Sequence, residues 1–381
     1  MHWTARQHTG PGKYEVYERL NREENHMSIN PGESWAVNDE DRSTVTDGTE
    51  ALRMVDMILG FTLSQAIYVA AKLDIATALA EKQRSVEELA EYAQAQPDFL
   101  RRIMRTLASH GVFTQYDADN FGLTPLGSTL IASEEGSVRD AAIMFMETQY
   151  KPFSKLVETV QTGKSAAQLY YGRPYFAQIA LQPEQLLGFT KTMAATSSQM
   201  VLPLLDHYQL PEGRVVADIG GADGTLLAHF LTQNKDRQGV MFDLPHVVGS
   251  SSKVFAAANL TSRVEIVAGD FFQSVPTGVD IYIVKQILHD WTDDECRQIL
   301  HNIAKAAAPG ARVLIIEMVV PDGDIPHPSK TIDLVMMGML TGKERSREEF
   351  RSLLSEAGMM LDQVVETPGY SVLETTVLAA V

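Results

Sequence analysis

Cysteine is all but missing from this 381-residue chain, which holds only Cys296. A lone thiol excludes an internal disulfide framework and a cysteine-based zinc cluster, and it fits a reducing cytosol. Basic charge is also short, with 32 Lys and Arg against 49 Asp and Glu and a net charge of −17 at pH 7. Phosphate binding needs clustered cations, so no nucleic-acid partner is expected. A neutral or cationic small ligand is compatible with that balance. No uninterrupted apolar run reaches the ~20 residues of a membrane span, and the N-terminal stretch lacks the apolar core of a signal peptide. The expectation is a cytoplasmic protein with no membrane association. What is left, 45% hydrophobic and 21% charged residues, is ordinary globular composition with length for two or three modest domains.

Residues 1–47 are polar and without period. They read as a disordered tail or, up to the His26-Met27 junction, as sequence added for expression, the other reading being an ordered arm on a partner subunit. Residues 48–136 open with a helical pattern (Leu52, Val55, Ile58, Phe61, Ile67, Ala70) apolar on more than one side, which requires a large core or a second subunit. Ser85-Val-Glu-Glu88 is a capping box, Phe99–Ala108 a second amphipathic helix, and Asp117–Asn120 the turn of a short hairpin. Helix, helix, hairpin is a winged-helix layout. Arg101, Arg102 and Arg105 would serve DNA; a structural or dimerisation module is the plainer reading, and the acidic balance favours it. Residues 137–209 are helical and rich in aromatic and methionine side chains, the material of a core or of a pocket for a flat apolar substrate.

From residue 210 to 381 strands and helices alternate. Strands are expected at 214–219, 238–242, 264–268, 280–284 and 311–317, then a hairpin from Met359 to Ala380. This is an α/β domain with a parallel sheet covered on both faces and closed by an antiparallel hairpin. Its first turn, Asp218-Ile-Gly-Gly-Ala-Asp-Gly224, lets a ligand lie against glycine backbone, and the helix behind it is expected to offer unpaired N–H groups. The spacing is not that of the dinucleotide fingerprint G-x-G-x-x-G. Asp243, at the end of the second strand, can bind a ribose diol. Asp270 and Phe271, after the third, can hold an adenine amino group and stack on its ring. Acids at three successive strand ends describe an adenosyl site.

Asp218–Gly224, Phe242-Asp-Leu-Pro-His246, Gly269-Asp-Phe-Phe272, Lys285-Gln-Ile-Leu-His-Asp-Trp-Thr-Asp293 and Gly342-Lys-Glu-Arg345 together resemble the motif set of small-molecule O-methyltransferases that use S-adenosyl-L-methionine, of the plant caffeate and bacterial natural-product type. The likeness runs from about residue 50 to the C-terminus. It departs at Ala222, where the family often carries a third glycine. The resemblance implies a class I methyltransferase fold behind a helical dimerisation domain, a homodimer, and a hydroxylated aromatic substrate. Cofactor-binding positions would be Asp218, Gly220, Gly221, Gly224, Asp243, Leu244, Asp270, Phe271 and Lys285, with Ser197 a further one. Met193 and Met336 would line the substrate pocket, or pack as ordinary core.

His289 would be the general base, flanked by Glu317 and Glu344 and supported by Asp290. A phenol of pKa about 10 is a poor nucleophile at neutral pH, and an imidazole that removes its proton makes the oxygen a better one. With an unperturbed pKa of about 6.5, the ring should be largely free to accept that proton near pH 7. A carboxylate on one ring nitrogen fixes the tautomer and stabilises the imidazolium. No metal is expected. The alternatives are a relative with the same cofactor site doing N- or C-methylation or non-methylating chemistry and, more remotely, a ligand-sensing winged-helix regulator.

Overall fold

A computed structural model describes residues 49–379 apart from Glu135, His207, Thr367 and Pro368. The readings of residues 1–47 therefore lie outside the described residues. The chain divides after Ile58 into two units. Helix α1 (Thr49–Lys72) is the first described element. Leu52, Met54, Met57, Ile58 and Phe61 are exposed, whereas Ala66, Ala70 and Ala71 are buried. This 24-residue helix holds an 18-residue stretch of mean hydropathy 1.5 and is long and apolar enough, by length and composition alone, to cross a membrane. A search for unbroken apolar runs passes over it, because charges such as Arg53 and Asp56 interrupt it.

The expected module follows. β1 (Arg84–Ser85) leads into α2 (Val86–Ala93), and the capping box forms: Glu88 N–H donates to Ser85 Oγ and Ser85 N–H to the Glu88 carboxylate. Helix α3 (Pro97–Ser109) begins on proline, whose missing N–H costs nothing at a helix start. The hairpin β2 (Phe113–Gln115) and β3 (Asn120–Leu123) pairs with β1 in the order β1-β3-β2. Leu89, Met104, Leu107, Phe113 and Phe121 fill its core. Arg101 donates to Asp98, Asp119 and Glu87, so its guanidinium closes the module on itself instead of facing a phosphate.

Helix α4 (Pro183–Thr196) runs on through a π-helical turn and a short helix to Leu205, where the helical region ends. The sheet then comprises β4 (Val215–Ile219), β5 (Gln238–Asp243), β6 (Val264–Ala268), β7 (Ile281–Lys285) and β8 (Arg312–Val320), all parallel. The hairpin β10 (Met359–Glu366) and β11 (Tyr370–Val377) lies antiparallel on β8, giving the order β10-β11-β8-β7-β4-β5-β6, while the two-residue β9 (Arg345–Ser346) also pairs with β8. Alternate residues of one strand serve opposite faces. Tyr282 and Val284 pack with Ile299 and Ile303 of α6 (Asp293–Ala306) and Phe350 and Leu354 of α8 (Arg347–Glu356). Ile281 and Ile283 pack with Leu226, Leu227 and Phe230 of α5 (Thr225–Gln233). Two buried faces explain the continuous apolar runs. Because β4 to β8 are parallel, their C-terminal ends share one edge; four of the motifs lie at or just past those ends, and Gly342–Arg345 reaches the same edge where β9 pairs with the end of β8.

Candidate active site

At the end of β4, Asp218 is buried and its Oδ2 meets no hydrogen-bond partner among the described residues. Burial pushes its carboxyl up to about 7. A Cβ built on Gly221 would lie 2.9 Å from that oxygen, so only glycine leaves the carboxylate open there. The N–H groups of the turn itself are largely taken within the protein. Gly220 and Gly221 N–H donate to the Phe242 carbonyl at 2.8 and 3.3 Å, Gly224 to Gly221 O, and Thr225 to Asp223 Oδ1. Asp243 clamps the rest: Oδ2 accepts Ala222 N–H at 2.9 Å and Oδ1 accepts Leu244 N–H at 2.7 Å. Ala222 has φ 51°, the left-handed region, which accounts for glycine being common there in the similar family.

Past β6, Asp270 Oδ1 accepts the N–H of Phe272, and Phe271 packs edge-on against Trp291 of the histidine motif. The Phe271 ring also comes within 3.9 Å of a Cβ position on Gly220, so the third motif meets the first. At the end of β7, Lys285 Nζ donates to Ser197 Oγ at 3.0 Å, and Ser197 stands on a π-helical turn (Ser197–Val201) behind α4. Burial pulls the Lys285 ammonium below its ordinary value, against the pull of Asp218. Asp218, Lys285 and Ser197 thus come together, an acid with an open oxygen beside a glycine cradle and an ammonium. Such a donor set fits the amino and carboxylate groups of an adenosyl amino acid.

His289 follows on a 3-10 turn (Leu288–Asp290), its side chain 11% exposed. Nδ1 lies 2.7 Å from Glu344 Oε1, a buried carboxylate. Glu317 accepts the backbone N–H of His289 at 3.1 Å, so it holds the residue by its main chain and not by its ring, as the flanking role had suggested. Asp290 Oδ1 lies 3.4 Å from Nε2. Burial alone would lower the imidazole pKa, but Asp290, Glu344 and Glu317 outweigh it and push the ring up to about 9. The expectation of a ring largely neutral at pH 7 is corrected: three carboxylates around a buried imidazole keep it protonated in the free protein. The same burial raises Asp290 to about 6 and Glu317 to about 7.

Three positions that organise this loop carried no assignment from sequence. A Cβ on Gly342 would lie 2.5 Å from Asp290 C and Trp291 N. Arg345, fully buried, donates to Leu288 O at 2.8 Å and Trp291 O at 3.0 Å, on either side of His289, and to Asp293 Oδ1. Asp333 of α7 (Pro328–Met339) accepts the Glu344 N–H. Gly342 and Arg345 lay inside a recognised motif, but nothing local in sequence says that a guanidinium will be buried under a loop some fifty residues away.

A cavity of ≈ 860 Å³ opens beside α7, walled by the rings of Phe61, Phe145, Tyr150, Phe153 and Tyr170 and by Thr331, Ile332 and Val335 of α7. Met193 and Met336, both half-buried, are not among its lining residues. Among the described residues no group of three His, Cys, Asp or Glu side chains is placed to hold a metal ion.

Comparison with known proteins bears on the same residues. An O-methyltransferase domain matches residues 153–360, and an O-methyltransferase dimerisation domain matches 55–133, including much of the apolar helix α1. The chain is 37% identical to phenazine O-methyltransferase PhzM of Lysobacter antibioticus, over 84% of this chain and 94% of that protein. It is 32% identical to 8-amino-8-demethylriboflavin N,N-dimethyltransferase of Streptomyces davaonensis, over 81% and 90%. Among solved structures it resembles an O-methyltransferase (NcsB1) from neocarzinostatin biosynthesis in complex with S-adenosylmethionine and 2-hydroxy-5-methyl naphthoic acid, with TM-score 0.73 and 30% identity over 83% of this chain and 96% of that one. With the motifs at one sheet edge behind a dimerisation domain, the chain belongs to the O-methyltransferase family and is an S-adenosylmethionine-dependent methyltransferase.

Proposed function

We propose that this enzyme moves a methyl group to a hydroxyl of an aromatic or polycyclic natural product, with His289 as general base, and that it acts as a homodimer joined through its helical N-terminal module. One observation carries the reading: a histidine at the ligand edge of the sheet has Nδ1 at 2.7 Å from the buried Glu344. That carboxylate keeps a proton on Nδ1, so in the neutral ring, the form that fills as pH rises toward 9, Nε2 is the nitrogen free to take one from the substrate hydroxyl. Asp290, beside Nε2, stabilises the charge that results.

S-adenosylmethionine supplies a methyl group on a cationic sulfur. Gly220, Gly221, Gly224 and Asp218 would hold its amino-acid end, Asp243 and Leu244 its ribose, Asp270 and Phe271 its adenine, with Lys285 and Ser197 beside them. The ring-walled cavity would align a flat substrate, and Met193 and Met336 are further candidates for that side because methionine adapts to irregular shapes. The natural-product relatives support this substrate class. Alignment and exclusion of water would contribute most of the rate, and the base ~10²–10⁴-fold.

His289→Ala should keep cofactor affinity in calorimetry and lose that factor in methyl transfer to a weakly acidic phenol. Asp243→Ala should weaken cofactor binding instead. Undiminished turnover by His289→Ala sinks the general base. Transfer to a ring amine, with none to a hydroxyl of the same scaffold, would replace O- by N-methylation, the chemistry named for the riboflavin relative.

A further inference from the structure

Residues Phe145–Gln149 form a π-helical turn, and a 3-10 turn from Pro152 to Lys155 follows after two intervening residues. Between them the chain brings Tyr150 and Lys151 onto the wall of the ≈ 860 Å³ cavity. Lys151 is the only charged side chain among the residues that line it; the rest are aromatic, aliphatic, thioether, hydroxyl or amide. Lysines nearby are paired: Lys72 with Glu147 at 2.6 Å and Lys155 with Glu158 at 2.7 Å. Lys151 meets no carboxylate among the described residues, and it is exposed, so it stands at the cavity rim.

In a chain of net charge −17 an unpaired ammonium on an apolar, ring-walled cavity runs against the background. An anionic ligand approaching this protein is repelled by its overall field, and a carboxylate taken into an apolar cavity loses hydration. A cation at the rim offsets both, since the pair keeps part of its water and escapes the full cost of a buried ion pair. The cavity volume lies within the ~300–1,000 Å³ of small-molecule sites.

We propose that the cavity takes a hydroxylated aromatic acid and that Lys151 binds its carboxylate, setting which end of the ring system stays at the rim. This rests on the reading above of methyl transfer to an aromatic hydroxyl, and narrows its substrate class to acids. Lysine suits the task, as a compact charge on a flexible stem that follows a carboxylate at any ring position.

The test uses the full chain with S-adenosylmethionine and two probes, a hydroxynaphthoic acid and its primary amide, which differ in charge and little in shape. Binding is followed by calorimetry and methyl-ether formation by mass spectrometry. The unaltered enzyme should bind the acid more tightly than the amide. Lys151→Met should narrow that preference by about three- to tenfold, the range of one partly solvated ion pair, mainly in KM. Lys151→Arg should keep most of it. Equal binding of acid and amide by the unaltered enzyme, no binding of the acid, or an unchanged preference in Lys151→Met each overturns the proposal. Failure of the broader reading looks different: the acid binds through Lys151 but no methyl ether forms.

Discussion

Gly342 offers the sharpest test of how the histidine loop is held. Its φ is not in the left-handed region, so alanine there meets no backbone penalty and the obstacle is space alone. An added Cβ would lie 2.5 Å from Asp290 C and Trp291 N, and closer still to the His289 carbonyl. All three are main-chain atoms that cannot rotate away. Restoring the 3.4 Å of ordinary contact to the nearest of them moves the loop and the glycine apart by more than an ångström. That displacement falls on the residue whose Nδ1 stands 2.7 Å from Glu344, two positions along from the substituted glycine. A misplacement of about 1 Å is able to cost on the order of 10²-fold in rate, and overpacking costs about 1–3 kcal/mol in stability. Gly342→Ala should therefore lose about 10²-fold in kcat. Cofactor affinity should be nearly kept, because Asp218, Gly221 and Asp243 belong to other strand ends. Single-turnover methyl transfer at saturating cofactor, with calorimetry and urea melts on the same sample, separates these quantities. A kcat within threefold of the parent would refute the idea that this contact sets the position of His289.

Three further outcomes follow from local strain and from charge. Ala222 at φ 51° pays a left-handed penalty that glycine avoids, offset in part by the greater freedom of glycine when unfolded. Ala222→Gly should gain about 0.5–1 kcal/mol in a urea melt, and a loss would discredit the strain argument. His289 is pushed up to about 9, above its unfolded value of about 6.5, so its contribution is complete below pH 6.5 and is lost as pH rises through 9. That rise corresponds to roughly 3 kcal/mol. His289→Asn should flatten the fall in melting temperature between pH 7 and pH 9.5; equal falls in parent and variant would contradict it. For the same reason kcat/KM should climb between pH 7 and 9 as Nε2 becomes free.

Periodicity and local chemistry already carry the strand positions, the capping box at Ser85, the glycine turn and the run of strand-end acids. Each depends on residues a few positions apart: apolar period, a missing Cβ, a carboxylate at the end of an extended run. The motif set groups His289, Glu317 and Glu344, and the parallel sheet accounts for the first two, because β7 and β8 run to the same edge, whereas Glu344 arrives on the segment after α7. Only the tertiary structure decides what those groups do to one another. Glu317 grips the main chain of His289 while Glu344 takes the ring, because β8 and the Gly342–Arg345 motif approach the same loop from different sides. The imidazole pKa is a sum over three carboxylates gathered from three segments in a dry pocket, and no single segment contains it. The N–H groups of the glycine turn are likewise taken by Phe242 and Asp243 from the neighbouring strand. Sequence sets which groups reach the edge; long-range packing sets distance and burial, and electrostatic interaction depends on both.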